Sequence, residues 1–186
     1  VQGTPGQNSD IASLLGQLKE QFSTLMNNPD SAPQQSGVVS AATALTRAIN
    51  GLGATYQAQR QTAQDNIVAD VATLNSTLGS IGKLNYQIVA LKGAGQSTAD
   101  LENQRDAALA DLSQLLDIKT IEQPNGDMLI ASAAGLVLPV HGAANPFSAA
   151  GVNVTPTGFY PGGGINGITL SGADVTSQFR SGRIGA

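Results

Sequence analysis

The sequence predicts an α+β protein: a long antiparallel helical hairpin of coiled-coil character carrying a small β-rich appendage. Three observations lead there. Apolar residues recur at steps of four and three through a Pro-free stretch from about Gln34 to Lys92. A Gly-containing turn, GAGQST (93–98), is followed by a second helical pattern reaching about Asp117. Beyond residue 118 the period falls to two, and Gly, Pro and Asn multiply. The expected division is a helical core over 1–117, with helices at about 9–26, 34–92 and 99–117. A β-rich part with a return segment fills 118–186, incomplete as a domain.

The first helix is capped by Ser9 or Asp10 and turns Ile11, Leu14, Leu15, Leu18, Phe22 and Leu25 to one face. NNPDSAP (27–33) ends it, because Pro29 and Pro33 disfavour helix in the residue before each. The long helix carries an early seam of Val38, Ala42, Leu45, Ile49, Leu52 and Tyr56. A later seam holds Ile67, Val71, Leu74, Leu78, Ile81, Asn85 and Ile88. The two are out of phase by one residue across QAQRQTAQDN (57–66), which reads as a stutter in one helix. Such a helix would be roughly 85–90 Å long at 1.5 Å per residue. Gly51 and Gly53 weaken it locally, so two shorter helices stay open as the alternative. The return helix starts at Ser97 or Thr98, with Asp100 and Glu102 in its first turn, where carboxylates complement the helix dipole.

An antiparallel register follows from the tight turn. It sets Leu115 opposite Leu74, Leu112 opposite Leu78, Ala108 opposite Ile81 and Leu101 near Ile88 and Val89. Arg105, the one charge in the seam, meets Asn85. The expected contact runs from Arg105 to Asn85, Gln87 or a nearby acid, fixing register at some cost in stability. The alternative is that Arg105 snorkels to water. After residue 118, IKTIEQ and MLIAS read as a hairpin turning at Asn125–Gly126. GLVLPV (135–140), VNVTP and the segment after GGGINGI are further candidate strands.

Composition narrows the function. The net charge is −4 and no basic stripe exists, which argues against nucleic acid and against an anionic membrane surface. Residues 1–117 hold six Lys/Arg and ten Asp/Glu, while 118–186 hold three of each. With no cysteine there is no disulfide frame, thiolate metal site or Cys nucleophile. No apolar run approaches the ~20 residues of a membrane span. The start, VQGTPGQN, is not a signal peptide, and both ends read like the interior of a longer chain.

Catalytic, cofactor and metal sites are not expected. His141 is the only histidine and reads as a surface or turn residue. Asp65 and Asp70 read as solvated helix acids. GGGINGI lacks the Lys-Ser/Thr of a phosphate cradle and reads as a turn. Tyr56 and Tyr86 read as packing residues or contacts to a neighbouring subunit.

The stretch SIGKLNYQIVALKGAGQSTADLENQRDAALADLSQLLDIKTIEQPNGDMLI resembles the flagellar hook-associated protein 1 family, the hook–filament junction proteins. The matching residues are Leu84, Asn85, Gln87 and Ile88, then Asp100, Leu101, Gln104, Arg105 and Asp106, then Leu109, Leu112, Ser113, Leu115 and Asp117. MNNPDSAPQQSGVVSAATALTRAING upstream and ITLSGADVTSQFRSGRIGA at the end are similar to the family as well. The family's terminal helical segments are missing here, and its variable middle is short. The resemblance implies a structural subunit joining hook to filament, extracellular and exported by the flagellar type III system. It implies partners in the hook protein, the next hook-associated protein and copies of itself in a ring, with these 186 residues monomeric alone. Asn85, Gln87, Asp100, Gln104, Arg105 and Asp106 form its hairpin motif. Rival readings are a flagellin-like or other exported filament subunit, an adhesin-like module, and a secreted enzyme built around His141.

Overall fold

The computed structural model describes residues 10–142 and 144–185. Three helices come first: α1 (Ile11–Asn27), α2 (Ala32–Gly93) and α3 (Ala99–Leu115). Six short strands and a 3-10 turn follow, β1 (Ile118–Glu122), β2 (Met128–Ser132), β3 (Val137–Leu138), β4 (Phe147–Ala149), β5 (Ile168–Leu170), β6 (Ala173–Asp174) and Thr176–Gln178. The α+β class and its long helix stand as expected.

The chain forms two compact units that divide after Gln61, inside α2. The composition shift at 117 therefore marks a change of secondary structure rather than a change of core. Leu112, Leu115 and Leu116 share one apolar cluster with Met128, Ile130 and Leu138 across that point.

In the first unit, Asp10 caps α1 by accepting from the Ser13 N–H at 2.5 Å. Ser9, the other candidate cap, lies outside the described residues. α2 begins at Ala32, two residues earlier than expected, because Pro33 sits in a first turn whose N–H groups have no intrahelical partner anyway. α1 has no buried residue, and the buried residues of α2 all lie at Gln64 or beyond. Leu15, Phe22, Val39, Ile49 and Tyr56 are all exposed, and Met26 is 81% exposed.

α2 is one helix of 62 residues, so the break near Gly51–Gly53 does not occur. A long helix already carries its nucleation cost, and two interior glycines subtract only about 1 kcal/mol each. Threonines 43, 46, 55 and 73 turn their hydroxyls onto the carbonyl four residues back.

In the second unit, a short connection (94–98) turns the chain back into α3. Thr98 is the N-cap residue, but its hydroxyl donates to Glu102 at 2.8 Å instead of accepting from the backbone. α3 ends at Leu115, and Leu116 turns inward to the core. Two antiparallel sheets of order β1-β2-β3 and β4-β5-β6 follow. In the first, Ile118 faces Ser132 and Glu122 faces Met128. Its hairpin turns at Gly126, which has φ +90° and donates its N–H to the Gln123 carbonyl at 2.9 Å. VNVTP is not a strand; β4 lies just before it, and Val154 is buried without joining a sheet. The GGGINGI segment leads into β5, with Phe159 bridging Gly163.

The core gathers Val71, Leu74, Leu78 and Ile81 of α2 with Leu112 and Leu115 of α3 and the inward residues of both sheets. Phe147 and Phe179 meet edge to face at 5.8 Å. Gly82 allows this packing. A Cβ there would lie 1.9 Å from the Val140 carbonyl oxygen, so only glycine lets that backbone rest on the helix.

Candidate functional site: the polar seam of the long helix

Within the second unit, polar side chains of α2 each take a backbone or charged group of the β part. Gln64 donates to the Ala150 carbonyl at 3.0 Å. Asn75 lies eleven residues on, about three turns, and so returns to nearly the same face. It donates to the Phe147 carbonyl at 2.8 Å and accepts the Phe147 N–H at 3.0 Å. One amide thereby imitates a neighbouring strand and closes the free edge of β4. Asn85, fully buried at 0% exposure, donates to the Met128 carbonyl at 3.1 Å.

Arg105 completes the seam from α3. It is 2% exposed, and its Nη1 donates to Asn85 Oδ1 at 3.2 Å and to the Gly126 carbonyl at 2.7 Å. The contact is with the seam asparagine and a turn carbonyl, not with an acid. Its Nε has no hydrogen-bond partner. A buried guanidinium without a carboxylate is held only by oriented dipoles. The helix hairpin and the β-hairpin turn thus share one cation. A Cβ on Gly126 would lie 2.9 Å from Lys92 and 3.0 Å from Ile88, so glycine also lets the turn come close enough to present its carbonyl.

Of the expected motif residues, the structure brings Asn85 and Arg105 together. Gln87, Asp100, Gln104 and Asp106 are exposed. Asp70 is not the solvated acid its position suggested. It is buried and takes a two-pronged contact from Arg183, with Nε at 2.9 and 3.0 Å and Nη2 at 2.5 Å. Hydrogen bonding to Asp70, then its charge, raises the Arg183 pKa above its ordinary value. The Arg183 and Ile184 N–H groups also donate to the Gln114 and Leu115 carbonyls, which straps the last described residues to α3. Gln64, Asn75 and Arg183 were not singled out by sequence. For Gln64 and Asn75 the one signal is a polar residue on or beside an apolar helical stripe, as for Asn75 beside Leu74; Arg183, which follows the last element, carries no such signal.

His141 is exposed, and its Nε2 lies 3.0 Å from both oxygens of Asp127. No group of three His, Asp or Glu residues that could hold a metal ion occurs among the described residues. No helix there is long and apolar enough to cross a membrane. Tyr56 is 50% and Tyr86 76% exposed, so neither belongs to the buried core of its unit.

Residues 4–186 match the model of the flagellar hook-associated protein FlgK helical domain. The chain is 28% identical over 132 residues to flagellar hook-associated protein 1 of Bacillus subtilis, covering 71% of this chain and 25% of that protein. It is 29% identical over 154 residues to flagellar hook-associated protein 1 of Salmonella typhimurium, covering 78% and 27%. It therefore spans about a quarter of these relatives' length. The flagellar hook junction protein FlgK from Burkholderia pseudomallei has a similar fold, with TM-score 0.74 at 22% identity over 98% of this chain and 33% of that one. With a family model matched across nearly its whole length, this chain belongs to the family of the flagellar hook-associated protein FlgK helical domain.

Proposed function

We propose that this chain is a load-bearing module of a structural protein that joins the hook to the filament of a bacterial flagellum. The observation that carries the reading is the family match across residues 4–186. The geometry supports it. A single helix runs through both compact units, and buried polar contacts tie the β part to that helix at separate heights. In this role Asn85 and Arg105 hold the helix hairpin against the β-hairpin, so that strain on one reaches the other. The protein acts outside the cell after flagellar type III export, and it catalyses no reaction. Its partners are the hook protein, the next hook-associated protein and further copies of itself in a ring.

Immunogold electron microscopy of the source bacterium, with antibody raised to these residues, tests the reading. A single band where hook meets filament is expected. Label along the filament would point to a flagellin-like subunit, and label away from the flagellum would overturn the proposal.

A further inference from the structure

A groove of about 810 Å³ is lined by α2 and by residues 139–142 and 144–146. Its lining includes the small residues Ser76 and Gly79 and also Tyr86, which is 76% exposed. Gly79 is a mid-helix glycine with nothing near the place a Cβ would occupy, so no contact within the described chain accounts for it. Lys83 lines the groove and has no ion-pair partner among the described residues. No acid lines the groove, and the other titratable groups there are Tyr86 and His141, the latter already facing Asp127.

The opposite charge sits on α3. With Leu101, Arg105, Leu112 and Leu115 turned inward, its outer face presents Ala107 and Ala110, flanked by Asp100, Asp106 and Asp111. These three acids are exposed, and none makes a salt bridge among the described residues. Arg105, the only base on α3, is buried in the seam. The exposed charge of α3 is therefore acidic without local compensation.

We infer that the groove receives the outer face of α3 from a second copy of this chain. The two alanines lie over Ser76 and Gly79, where the backbones approach closely, and Lys83 meets the flanking carboxylates. This inference rests on the self-association reading above and names the surfaces that would carry it. The contact is heterologous, groove to helix, so each copy has one of each face still open, and the pattern closes into a ring or continues. A single helix in a groove falls short of the ~1,200 Å² of a stable isolated complex. The contact forms among copies already held in an array.

The 186 residues contain no cysteine, so introduced thiols in them are unambiguous. Ser80 lines the groove, and Ala110 is on the outer face of α3. The protein made in its own bacterium would carry Ser80→Cys with Ala110→Cys, and isolated flagella would be oxidised. The expected result is a ladder of covalent multimers, with no cross-link from either single variant. Lys83→Glu should abolish the ladder, and adding Asp106→Lys with Asp111→Lys should restore it. Dimers from a single variant would mean a two-fold contact and overturn the inference. Absence of the ladder, while a long amine-reactive cross-linker still gives multimers, would also overturn it and leave self-association standing. Absence of multimers with both reagents would remove the self-association reading and this inference together.

Discussion

Arg105 bears a charge that no carboxylate balances, yet two acceptors, Asn85 Oδ1 and the Gly126 carbonyl, depend on it. Arg105→Met keeps the volume and removes the buried charge, but it strands both acceptors. Each buried unsatisfied group costs about 1–3 kcal/mol, against which loss of the charge gives something back. We expect a net loss of about 1–3 kcal/mol, read as a lower urea midpoint. Converting Asn85 to Leu in the same chain should recover little of it, since one stranded acceptor is then gone but the Met128 carbonyl loses the donor that Asn85 gave it. Gly82 and Gly79 make a second test. Gly82→Ala forces a Cβ into the Val140 carbonyl and should destabilise by about 1–3 kcal/mol. Gly79→Ala meets open space and should stabilise the helix by about 1 kcal/mol, measured by the same unfolding curves.

The elements differ in how they are fastened. β4 is an edge strand closed by one asparagine, and the last described residues are strapped by backbone bonds to α3 and by Arg183 on Asp70. The turn from β6 into Thr176–Gln178 is fastened by Asp174. Its carboxylate accepts from the Thr176 hydroxyl and N–H and from the Tyr160 hydroxyl. The Thr176 hydroxyl, then its N–H, hold the Asp174 pKa below its ordinary 3.8, with Tyr160 adding to them. The unfolded chain takes up that proton more readily than the folded one. The contribution is therefore complete above 3.8 and is lost as pH falls through the lower folded value. The Thr176 amide resonance should hold steady on acidification to about pH 4 and shift only further down. In Asp174→Asn that acid step should vanish.

At the scale of the whole molecule, the two units differ in what holds them. The second has a contiguous core of helix and sheet residues, whereas the first unit has no buried residue among those described. Helices without a buried face draw little stability from packing. Hydrogen exchange should therefore find α1 and the first half of α2 opening with far smaller free energies than α2 beyond Gln64. Uniform protection along α2 would contradict this.

The sequence by itself determined the helices, because their period of steps of four and three, their caps and the Pro-bearing turn are local properties. It also determined the β1–β2 hairpin through Asn125–Gly126, and it placed Asn85 opposite Arg105, since a tight turn fixes the register of two helices by counting. The motifs LNYQI and DLENQRD carried the family as well. Only the tertiary structure decided what the seam holds. Asn75 takes the Phe147 backbone 72 residues away, and Asp70 takes Arg183 at a separation of 113. No periodicity reports such pairings, because an acid or amide flanking an apolar stripe looks the same whether water or a distant backbone satisfies it. The boundary between compact units was hidden for a related reason. A helix that passes through two environments keeps its local pattern in both, and only the packing around it tells them apart.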